Sequence, residues 1–138
     1  MNEGMKTLII YRIKQSEQAI KDADILLDMN GSPRSVVNRA YYGMFYSCLA
    51  LLVTLGKGSS KHSGVIGLFD AEFVKKGIFH KEMSRALHQA FDLRQMSDYR
   101  ELIEVDIDDA KELLQGAKKF IDEVKEYILK EINESIKE

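Results

Sequence analysis

Arg94 lies in a stretch of helical spacing where Met83, Leu87, Ala90 and Leu93 make an apolar arc. At 100° per residue it falls about 20° from Met83, inside that arc. Asp98, four residues on, shares the face and can pair with it along the helix. A guanidinium offers five donors in a planar fork that fits carboxylate or phosphate, so Arg94 and Asp98 are candidates for a concave, anion-accepting site. The other account of the pair is a buried clamp that fixes helix register, which apolar residues could replace without loss. His62 opens a helix in Ser60-Lys61-His62-Ser63-Gly64. It stands beside Lys61 near a helix N-terminus, where backbone N–H groups collect anions. A histidine that only bonds a neighbouring loop fits the same segment. Arg39 lies beside Tyr42 and Tyr46; it suits either an anion or packing on tyrosine faces. His80 and His88 read as surface residues without an assigned role.

Other chemistries lack their residues. The sequence has no His-Glu-x-x-His, no paired cysteines, no Gly-rich phosphate loop, no Gly-x-Ser-x-Gly and no Glu-x-x-His of the di-iron bundles. We therefore expect neither metal nor cofactor. Cys48, the lone cysteine, sits in the apolar run FYSCLALL and reads as a small buried hydrophobe, in keeping with a reducing compartment. The net charge of −2 conceals an uneven distribution. From Arg34 to Lys81 seven Lys/Arg stand against two Asp/Glu, whereas from Asp98 to Glu138 seven stand against thirteen. The basic stretch could meet phosphates, or the two halves could neutralise each other within one bundle.

The elements that must position these residues follow from periodicity. A first helix is expected from about Met5 to Met29, on the seam Ile9, Ile13, Ser16, Ile20, Ala23 and Leu27. Asn30 and Gly31 stop it, Ser32 caps the next helix and Pro33 starts it. That helix, to about Leu55, is apolar around most of its circumference and belongs at the centre of a bundle. Its uncharged run from Ala40 to Gly56 is 17 residues, short of the roughly 20 that cross a bilayer. A third helix, about Lys61 to Lys76, buries Val65, Ile66, Phe69 and Phe73, and a fourth spans about His80 to Ser97. The last follows an Asp106 cap on the seam Ile107, Ala110, Leu114, Ala117, Ile121, Val124 and Ile128, with fraying expected from Glu131. The expectation is a single all-α domain over the 138 residues: an up-and-down bundle of four long helices and one shorter one. Its wide apolar second helix and long last seam exceed what one small bundle covers, which points to a homodimer. The segment MNEGMKTLII has no export pattern, so the expected setting is cytoplasmic, without membrane contact.

Three blocks carry a family likeness: Asn38-Arg39-Ala40-Tyr41-Tyr42-Gly43-Met44-Phe45-Tyr46, Lys61-His62-Ser63-Gly64-Val65 and Leu93-Arg94-Gln95-Met96-Ser97-Asp98-Tyr99. In this order, and over about Ser16 to Leu129, the chain resembles small stand-alone prokaryotic HEPN proteins. The resemblance implies a helical bundle that commonly dimerises. It also implies kinship with RNA-cleaving toxins encoded beside a nucleotidyltransferase-fold antitoxin. Active members place an arginine four to six residues before a histidine. Arg94 matches the arginine, but the following window reads Tyr99, Arg100, Glu101. Tyrosine, with an ordinary pKa near 10, does not replace imidazole as acid and base at neutral pH. The expectation is a HEPN-like module that binds RNA, a nucleotide or a nucleotidyltransferase-fold partner with weak or no catalysis, through Arg94, Asp98, Tyr99, Arg39, Lys61 and His62. Two alternatives stay open. One is a metal-independent ribonuclease toxin in which Arg94 steadies phosphate charge and His62 serves as an unusual base; the other is a purely structural helical homodimer.

Overall fold

Asn2, Ser32 and Asp106 stand at three helix starts, and each does the capping that its side chain favours. In the computed structural model, which describes the backbone of residues 1–99 and 104–137 and the side chains of 1–97 and 104–135, Asn2 accepts from Met5 N–H at 2.8 Å. That cap starts α1 (Glu3–Asp28) two residues before the expected Met5. Ser32 accepts from Ser35 N–H at 3.2 Å, and Pro33 opens α2 (Pro33–Thr54). Between them Asn30 takes the left-handed conformation, with φ of 58°. Asp106 accepts from Asp108 N–H at 3.1 Å and heads α5 (Ile107–Lys137).

The expected third helix divides. α3 (His62–Phe69) passes into a π-helical turn over Asp70–Val74, closed by Lys75 N–H donating to the Asp70 carbonyl at 2.8 Å. The wider turn keeps both Phe69 and Phe73 fully buried. Gly77, at φ of 76°, ends the segment, and α4 (Lys81–Tyr99) follows. No strand occurs among the described residues. The architecture is all-α, four long helices and one short.

α2 is the hub, touching α1, α3, α4 and α5. Val36, Val37, Ala40, Tyr41, Met44, Cys48 and Leu51 on it are fully buried. It is long and apolar enough to cross a membrane, yet most of it is packed inside the bundle. Burial pushes the Cys48 thiol pKa up, so the thiol is inert. The α5 seam is buried from Ala110 to Ile128, with Phe120 added to it. One detail departs from the sequence reading: Ile107, the first seam residue, is exposed in the first turn. Helical backbone runs to Lys137, with Ile132 packed against the core. One chain thus covers both surfaces that the sequence argument left for a second copy.

α1 and α2 meet closely. Ser16, buried on α1, donates to the Gly43 carbonyl at 2.6 Å, and a Cβ at Gly43 would come within 2.8 Å of the Ile20 side chain. Side-chain bulk is excluded there, and the helices lock in register.

Candidate functional site

Tyr41 and Tyr42 are neighbours on α2, so their side chains leave the helix about 100° apart. Tyr41 points inward and is fully buried, whereas Tyr42 is half-buried. Arg94 of α4 reaches across to both. Its guanidinium carbon lies 5.6 Å from the Tyr41 ring centre and 5.4 Å from that of Tyr42, and Nη2 donates to the Tyr42 hydroxyl at 3.2 Å. The arginine that broke the apolar arc is thus set in an aromatic seat, where desolvation is offset by ring faces and a hydroxyl. Ser97 closes the turn below it, donating to the Arg94 carbonyl at 2.9 Å.

His62, the first residue of α3, joins the same tyrosines from the other side. Its Nδ1 meets the Tyr41 hydroxyl at 2.7 Å, and its ring stacks on Phe45 with centres 4.1 Å apart. Partial burial, and then the charge of Arg94, hold the imidazole below its ordinary pKa of 6.5. Burial raises the Tyr41 phenol well above its usual value, so it stays protonated. Arg39 packs on the Tyr42 ring at 5.1 Å and donates to Asn38 Oδ1 at 2.9 and 3.1 Å. This is the packing account of Arg39, although its guanidinium still borders the site. Lys61 is exposed at the N-cap of α3 and caps no backbone group with its side chain. The side chains of Asp98 and Tyr99 lie outside the described residues.

Arg94, His62 and Arg39 therefore converge on one tyrosine pair from three helices. Sequence reasoning singled out all three residues and set Tyr42 beside Arg39, but it left out Tyr41 and Phe45 as support for His62 and the reach of Arg94 to Tyr42. The available sign was the cluster of aromatic residues Tyr41, Tyr42, Phe45 and Tyr46 within two turns of a largely apolar helix. A second polar cluster was also missed: Asp70, at the π turn, accepts from Ser84 at 2.7 Å and pairs with His88 at 2.7 Å. His88 is exposed as expected, but it ties α4 to the π turn.

A cleft of about 450 Å³ opens beside Leu93, between α4 and α5, with Asp109 and Glu112 at its lip. Two carboxylates there disfavour phosphate, and Arg94 is not part of its lining.

The chain is similar to known proteins along most of its length. The family model described as HEPN domain matches residues 10–127. A UPF0332 protein from Thermotoga maritima is 38% identical over 93% of this chain and 96% of its own. A protein from Methanocaldococcus jannaschii named "Putative toxin MJ0605" is 33% identical over 96% of each chain. Another UPF0332 protein, from Archaeoglobus fulgidus, is 34% identical over 86% of this chain and 94% of its own.

Proposed function

The chain belongs to the HEPN family, and from that membership we propose that it is a toxin-like module that binds RNA at the Arg94 seat and cleaves it weakly or not at all. The observation that carries this reading is the guanidinium of Arg94 held over Tyr41 and Tyr42 by a hydrogen bond to Tyr42. Guanidinium suits a phosphodiester. Tyr46 is half-buried, with its ring centre 5.7 Å from that of Tyr42, and tyrosine rings are what unpaired bases stack on. Arg34, Arg39 and Lys61 add positive charge along α2 and the start of α3. A toxin role is supported by the name of the Methanocaldococcus relative, and a nucleotidyltransferase-fold antitoxin as partner rests on the resemblance to the family alone.

Weak catalysis is favoured because Tyr99 stands where active members carry histidine, and because the one histidine near Arg94 already has its Nδ1 engaged. The test is a titration of the protein with a single-stranded RNA oligonucleotide at fixed salt, alongside Arg94→Met. We expect binding to weaken by about 1.5–3 kcal/mol, the range for a charge-assisted hydrogen bond, with helical content unchanged. Equal binding by the variant would overturn the reading. Metal-independent cleavage lost in a folded Arg94→Ala would replace it with the ribonuclease toxin.

A further inference from the structure

The ring proton of His62 can be placed by counting donors and acceptors. Tyr41 is fully buried, and its hydroxyl meets Nδ1 of His62 at 2.7 Å. If Nδ1 carried a proton and donated it to the phenol oxygen, the phenol hydrogen would have no acceptor. An unmet buried donor costs about 1–3 kcal/mol. If the phenol donates to a bare Nδ1, both groups are satisfied. The proton of a neutral imidazole then sits on Nε2, which has no hydrogen-bond partner among the described residues.

The ring has little freedom to do otherwise. It stacks on Phe45 at 4.1 Å and lies edge-on to Tyr42 with centres 5.7 Å apart, so rotation would break the aromatic contacts as well as the hydrogen bond. Adding a second proton would put Nδ1–H against the phenol and a positive charge near Arg94. The structure therefore opposes imidazolium on two counts. A neutral ring with Nε2 protonated has its basic lone pair turned inward and occupied by Tyr41. It cannot accept a proton from a ribose hydroxyl through its outer nitrogen.

We infer that Tyr41 is a positioning residue that locks His62 in the Nε2–H tautomer, making His62 a neutral hydrogen-bond donor to the phosphate engaged by Arg94 and not a general base. The ligand in this inference rests on the RNA-binding reading above; the tautomer does not. The ring is therefore no substitute for the motif histidine, and the site combines one charged donor with one neutral donor over a shared tyrosine pair.

Long-range proton–nitrogen spectra of the ligand-free, full-length, isotope-labelled protein test the tautomer. We expect His62 Nδ1 to resonate as a pyridine-type nitrogen and Nε2 as a pyrrole-type one, with Tyr41→Phe shifting the ring toward a mixture and raising its pKa. The reverse assignment in the unaltered protein would overturn the inference and restore His62 as a base. Donation is tested by titrating a single-stranded RNA oligonucleotide against Tyr41→Phe/His62→Phe. This pair keeps both aromatic rings and strands no phenol hydrogen. Its affinity should fall about five-fold, the size of one neutral hydrogen bond. Unchanged affinity in the pair, with loss in Arg94→Met, would remove the donor role and leave RNA binding standing. If the unaltered protein binds no RNA, the RNA reading falls and the donor role falls with it, while the spectra decide the tautomer separately.

Discussion

His62 shows how one residue's surroundings set its protonation and, through it, the acid response of the fold. Its folded pKa lies below the ordinary 6.5, from partial burial first and Arg94 second. As pH falls through 6.5 the unfolded chain therefore takes up this proton before the folded one does, and stability declines. The decline ends once the folded ring is protonated as well. The titratable and charged groups about it are Tyr41 and Tyr42 from α2, Arg94 from α4 and Lys61 next to it in sequence. We expect the melting temperature to fall more between about pH 7.5 and pH 5.5 in the unaltered protein than in His62→Gln. Parallel declines would mean that the ring titrates alike in both states. Glu72 acts in a separate, more acidic window. It accepts from Lys57 and Lys76 at 2.6 Å each, which pulls its pKa from 4.5 to about 2. Its contribution is present above 4.5 and is lost as pH falls toward 2.

Between elements, the α1–α2 contact is a close one in the scaffold that carries Tyr41 and Tyr42. A Cβ on Gly43 would meet Ile20 Cδ1 at 2.8 Å and Cγ1 at 2.9 Å. Overpacking costs about 1–3 kcal/mol, while alanine gains about 1 kcal/mol over glycine in a helix. Steric cost should win: Gly43→Ala is expected to lose about 1 kcal/mol in denaturant melts, whereas a gain would show that Ile20 moves aside freely. Farther along the chain, the π turn aims Asp70 at Ser84 and His88 of α4. Asp70→Ala should cost about 1–3 kcal/mol in the same melts, and no change would mark the cluster as solvated decoration. These two contacts also show where sequence legibility stops. Helix starts at Ser32 and Asp106 and the stop at Asn30 could be read directly, because capping and left-handed backbone are local chemistry. The π turn could not, since one extra residue per turn leaves Phe69 and Phe73 at spacings that an α-helix also allows. Arg94 could be singled out because it breaks an apolar arc on its own helix. Its seat could not, because Tyr42 lies 52 residues away in the chain, and the Tyr41 to His62 bond likewise needs α2 and α3 already packed.

Across the whole molecule, charge and apolar surface are distributed differently from what the sequence halves suggest. Lys57 and Lys76 of the basic stretch pair with Glu72 of that same stretch, while Lys118 and Lys125 of α5 pair with Asp24 and Glu17 of α1. Such exposed pairs contribute little each, and they do not cancel the basic stretch against the acidic one. Apolar exposure is concentrated elsewhere. α2 and the α5 seam are covered within one chain, but Leu8, Ile10 and Tyr11 of α1 and Leu129 of α5 remain 41–59% exposed. Ile10 and Leu129 line a groove of about 180 Å³ with Ile13 and Ile132, rimmed by Lys14, Glu17 and Lys125. A rim with both signs can face a copy of itself across a two-fold axis, lysine to glutamate. The homodimer implied by family membership is thus expected on the α1–α5 face, for a reason other than the uncovered α2 surface first argued. Sedimentation at tens of micromolar, on the order of common association constants, should give a dimer. Ile10→Glu with Leu129→Glu should give a monomer of unchanged helicity, because two carboxylates per copy would be forced into an apolar contact without partners. A monomeric unaltered protein would remove the dimer altogether. A dimer that survives both substitutions would move its contact off this groove.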